Sequence, residues 1–129
     1  MRKLSKLVVL GSTLLAMTGS VISAQINIDD DFMRNVEDAN KNLANHIAIK
    51  DVKGVSGDTQ ELSGMYAQIE AYYVAKGDAE DALDISKKSR QLIDQIGKSV
   101  ASKDFDDANI KASDLSRACK SCHNFYKKS

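Results

Sequence analysis

FDDANIKASDLSRACKSCHNFY, residues 105–126, carries apolar or thiol side chains at Phe105, Ala108, Ala112, Leu115, Cys119, Cys122 and Tyr126. The steps between them run 3-4-3-4-3-4, the spacing of a seam along one face of a helix that packs into a bundle. Asp104 stands where an N-cap belongs, and Asp106 and Asp107 place negative charge in the first turn, where the helix dipole favours it. The segment reads as an amphipathic helix. Its seam includes both cysteines of the 129-residue chain.

The same three- and four-residue periodicity recurs upstream, and no proline interrupts it. A first helix is expected from about Asp29 to Ala48, with Phe32, Met33, Val36, Ala39, Asn40, Leu43 and Ile47 on its stripe. Asp51–Gly57 (DVKGVSG), with two glycines, reads as a break. A second helix from about Asp58 to Lys76 buries Leu62, Met65, Tyr66, Ile69, Tyr72 and Tyr73. Gly77 suits the left-handed residue that ends it, and Asp78 the cap of the next. The third helix, about Ala79 to Ser102, carries Ala82, Ile85, Leu92, Ile96 and Val100, with Gly97 inside it at a cost of about 1 kcal/mol against alanine. Four amphipathic helices with short links predict an all-α fold, an antiparallel up-down-up-down four-helix bundle.

Chemistry concentrates in Cys119-Lys120-Ser121-Cys122-His123. C-x-x-C-H is the attachment signal for c-type haem. Two thiols on one helical turn can each form a thioether to one porphyrin, and the adjacent imidazole of His123 can ligate its iron. Three other chemistries compete. A thiol–disulfide redox pair belongs beside a βαβ pattern at a helix start, whereas this pair lies late in a helix with no strand signal nearby. A zinc site needs about four ligands, and the chain has two Cys and two His besides its carboxylates. A disulfide between residues three apart would cross-link almost nothing. The haem reading, with Cys119 and Cys122 as thioether donors and His123 as proximal iron ligand, accounts for all three residues.

The N-terminus agrees with it. Met1–Lys6 is basic, Leu7–Met17 is apolar and Thr18–Ala24 is rich in small residues, the three zones of a secretory signal peptide. Leu7–Ile22 is too short and too interrupted for a span of about 20 apolar residues. Cleavage after Ala24 would leave residues 25–129 as one small domain without stable membrane insertion. It removes Arg2, Lys3 and Lys6, leaving 18 − 3 = 15 basic against 18 acidic side chains. That balance argues against a nucleic-acid partner.

A four-helix bundle with CKSCH on its last helix resembles the class II cytochrome c family, cytochrome c′ and its low-spin relatives. The first helix, with Met33 just inside the acidic start DDDFMRNVEDANKNL, also resembles the soluble periplasmic b-type cytochrome of the same fold. The resemblance implies a periplasmic haem protein, monomer or homodimer, that exchanges electrons with redox protein partners. Its five-coordinate branch implies gas binding or sensing instead.

Bundle geometry nominates the second axial ligand. His123 lies about 8 Å from the end of the last helix and Met33 about 6 Å inside the first, at the same end of an antiparallel bundle. His46 is displaced by about 20 Å and reads as an exposed histidine near a helix end, and Met65 as a core side chain. Val36, Ile69, Tyr72 or Tyr73, Ala82, Leu83 and Tyr126 are expected around the porphyrin. Arg34, Arg117 and Lys127 are candidates for its propionates, although an ordinary solvated charge suits each of them better. With no acid–base pair beside the motif, the reading is a single-electron carrier rather than an enzyme. A five-coordinate gas-binding haem protein is the alternative, and a haem-free thiol–disulfide protein a third.

Overall fold

The computed structural model describes residues 27–126, with side chains through Asn124. Four helices account for nearly all of it: α1 (Asp30–Ala48), α2 (Val52–Lys76), α3 (Glu80–Ala101) and α4 (Phe105–Tyr126). Each packs on its neighbours in sequence, and α1 packs on α4, closing a four-helix bundle. Among the described residues no helix is long and apolar enough to cross a membrane. The predicted signal peptide, residues 1–24, lies outside the described residues.

Contacts made late in one helix fall early in the next. His46 of α1 meets Asp58 of α2, and Ser99 of α3 meets Asp107 of α4. Between α1 and α4, Asn40 reaches Cys119 while Lys50, just past α1, lies over the Phe105 ring at the start of α4. Most of the core is the expected stripe of each helix: Val36, Leu43 and Ile47; Leu62, Tyr66 and Ile69; Ala82, Leu92, Ile96 and Val100; Ala108 and Leu115. Val55 and Ile93, outside the expected stripes, are buried with them, and Ile85 is only half-buried.

The caps follow local chemistry. Asp29 accepts from the Phe32 amide at 2.8 Å, and Asp104 from the Asp107 amide at 3.0 Å. Gly77 ends α2 at φ +78°, as expected. Two lysines do the same at α1 and α3 without glycine: Lys50 at φ +57° and Lys103 at +62°. Each is followed by an aspartate whose amide bonds a carbonyl five residues back, Asp51 to His46 at 2.9 Å and Asp104 to Ser99 at 2.8 Å.

Three expectations need correction. Asp51–Gly57 is not a loop, because α2 begins at Val52 with Asp51 as its N-cap, accepting from the Gly54 amide at 3.0 Å. Glycine at position 54 serves packing: an added Cβ would stand 2.6 Å from the His46 ring. Asp78 is not the cap of α3; Ala79 holds that position, buried and without a side-chain cap bond. His46 is not a free surface histidine, since its Nδ1 lies 2.5 Å from Oδ2 of the largely buried Asp58. That bond, then Asp51, raises the imidazole above its ordinary value despite some desolvation.

Candidate functional site

Cys119 and Cys122 are one turn apart on α4, both free and half-buried, and His123 beside them is half-buried too. The seam spacing of α4 dictates this: Leu115 one turn earlier is fully buried, and the cysteines continue the same face. Cys119 packs against the hydrophobic core. Its Sγ lies 2.8 Å from the hydroxyl of Tyr66 and 3.9 Å from Nδ2 of Asn40. Asn40 is itself anchored, donating to the Val36 carbonyl at 2.8 Å.

Burial dominates the electrostatics of the two thiols and of Tyr66. Burial pushes the Cys119 thiol above its ordinary 9.0, against the opposing effect of the Tyr66 hydrogen bond. Burial raises Cys122 as well, followed by the nearby Cys119. The Tyr66 phenol is driven far above its usual value, first by burial and then by Cys119; Asn40 and Ser89 act in the opposite direction.

The remaining expected site residues are distributed as follows. Met33 is half-buried and packs against the core, and Val36 is buried beside Asn40. Tyr72 is half-buried, edge-on to Tyr73 with centroids 5.2 Å apart. Leu83 is half-buried in the first turn of α3, next to the buried Ala82, and Ile69 is buried on α2. Tyr126 ends α4, but its side chain lies outside the described residues, as does Lys127. Arg34 and Arg117 are exposed and paired with Asp31 and Asp114, as ordinary surface charges are. Of two clefts, one is lined by Ser56, Thr59 and Gly97 among others, away from the motif. The other, lined by Ile85, Lys88, Arg117 and Ala118 among others, reaches Ser121 of the motif but not Cys119, Cys122 or His123.

Sequence reasoning placed Tyr66 and Asn40 on core stripes but gave them no chemistry. The available signal was polarity on an apolar stripe, because a buried phenol or amide must find a partner. Compared with protein-family models, with curated proteins and with solved structures, the chain gives no match.

The donor set suits a covalently attached haem: two uncrosslinked thiols one turn apart, with an imidazole next in sequence, on a half-buried helix face.

Proposed function

We propose that this chain is an exported c-type cytochrome of the class II kind, carrying one covalent haem and acting as a single-electron carrier. The observation that carries the reading is CKSCH on the half-buried seam of α4, with both thiols free. Bound there, the group supplies a one-electron ferric–ferrous couple. Cys119 and Cys122 would anchor it, and His123 would hold the iron from the α4 side.

Met33 is the proposed second ligand. His123 is four residues beyond Cys119, and Met33 is seven before Asn40, the residue that meets Cys119. On antiparallel helices those two positions stand within about 5 Å of each other along the axis. Val36, between them on α1, supplies an apolar wall that excludes water. A second reading, a five-coordinate gas-binding protein, is favoured by one observation: Met33 packs against the core and can serve there as an ordinary filler.

The test of the attachment reading is chemical. Expressed with a periplasmic haem-attachment system, wild type should yield a 105-residue product carrying one haem that survives acid–acetone extraction. Cys119→Ala or Cys122→Ala should leave a single, weaker attachment, and the double substitution none. Haem still bound covalently to the double variant, or a wild type without it, overturns the proposal.

A further inference from the structure

Tyr66 lies in the middle of α2, 4% exposed, and its hydroxyl reaches across the bundle to Cys119 on α4. The proton count around it is constrained. Ser89 donates to the Ile85 carbonyl at 2.8 Å, and one N–H of Asn40 donates to the Val36 carbonyl at 2.8 Å. Both side chains are thus fixed to their own helices while facing the Tyr66 hydroxyl. Asn40 from α1, Ser89 from α3 and Cys119 from α4 make a small polar cradle around the Tyr66 hydroxyl. Cys122, one turn on, has no hydroxyl partner of this kind among the described residues.

A thiol can either donate or accept a hydrogen bond, but a thioether can only accept. Forming the thioether adds the S–H of Cys119 across a vinyl double bond. The sulfur goes to one carbon and the hydrogen to the other, and no oxidant or reductant is consumed. The contact survives that step in one arrangement alone, with Tyr66 O–H as donor. We propose that Tyr66 is a positioning residue for Cys119: braced by Asn40 and Ser89, it holds the sulfur on the core side of α4 and remains its hydrogen-bond donor after attachment. The second half rests on the haem reading of CKSCH; the first half does not. The two cysteines are therefore unequal: Cys119 meets polar side chains of α1 and α2, and Cys122 shows no such partner among the described residues.

The experiment begins with the full chain produced without haem. In wild type, the Tyr66 hydroxyl proton should exchange slowly and give a nuclear Overhauser contact to the Cys119 β-protons. A fast-exchanging hydroxyl without that contact overturns the proposal, and no variant has to fold for this to be decided. In Tyr66→Phe, iodoacetamide should label Cys119 about fivefold faster, the worth of one hydrogen bond, with Cys122 nearly unchanged. An unchanged Cys119 rate, or an equal rise at both cysteines, overturns it. With haem loaded, Tyr66→Phe should retain both thioethers by mass but show a lower midpoint potential, because a donor to the sulfur is lost. An unchanged potential removes the donor role. A wild type without covalent haem would sink the cytochrome reading and the donor half with it, whereas the hydroxyl contact and the labelling rates would still decide whether Tyr66 holds Cys119.

Discussion

Met33 and Met65 are the two methionines among the described residues, both half-buried against the core, and the proposal assigns them opposite roles. If Met33 ligates iron, the reduced protein should be low-spin and resist carbon monoxide at neutral pH. Met33→Ala should then open the sixth position, admit carbon monoxide and lower the midpoint potential as the thioether is lost. Met65→Ala should leave the visible spectrum unchanged and cost about 1–2 kcal/mol in denaturant unfolding, below the range for a fully buried methionine. A wild type that is high-spin and binds carbon monoxide readily would assign Met33 to the core and favour gas binding. The residues of the motif were legible because their chemistry lies within five consecutive positions. Tyr66, Asn40 and Ser89 were not, because Tyr66 and Asn40 reach Cys119, and Ser89 reaches Tyr66, only when helices distant in sequence fold together.

At the scale of the elements, periodicity located all four helices, and the errors fell where tertiary packing overrode local signals. Gly54 and Gly57 resemble loop glycines, yet α2 runs through both, and their environments differ. Gly54→Ala should destabilise the fold, since its Cβ would meet the His46 ring at 2.6 Å. Gly97→Ala should stabilise it by about 0.5–1 kcal/mol through helix propensity, because Thr59, at 4.0 Å, leaves room for the methyl. Thermal or urea unfolding of the two variants checks both signs, and an equal effect at the two sites would refute the packing account. The same α1–α2 junction should respond to pH. Asp58 raises His46 in the folded state above its ordinary 6.5, so the pair's contribution is complete below that value. It is lost as pH rises through the raised folded value. The wild-type unfolding midpoint should therefore fall as pH rises above the ordinary imidazole value of 6.5, and His46→Gln should flatten that dependence. An equal slope in the two proteins would show that the contact does not contribute.

In the whole molecule the four seams are not equivalent. α3 is packed extensively on both α2 and α4, whereas the seam between α1 and α4 is the most sparsely packed of the four. The α1–α4 seam joins the helices that are furthest apart in sequence, so no short link holds its two sides together. Its described contacts include the Asn40–Cys119 approach and Lys50 over the Phe105 ring. The proposed attachment site lies on this seam, with Cys119, Cys122 and His123 on one side and Met33 and Val36 on the other. A helix held on one side more than the other opens at lower free energy than one held on both. In the haem-free chain, backbone amides of α1 should therefore exchange with deuterium faster than those of α3. A haem tethered to α4 and ligated by Met33 would add a contact that only the closed seam can make, and so reduce that difference. Covalent loading should slow exchange in α1 by about tenfold or more while changing α3 little, because α3 already opens only with the whole fold. Hydrogen exchange followed by mass spectrometry on the two forms measures this peptide by peptide. If α1 and α3 exchange alike without haem, the sparse seam is not the weak one. If loading protects α3 but not α1, His123 and Met33 do not face one another across it.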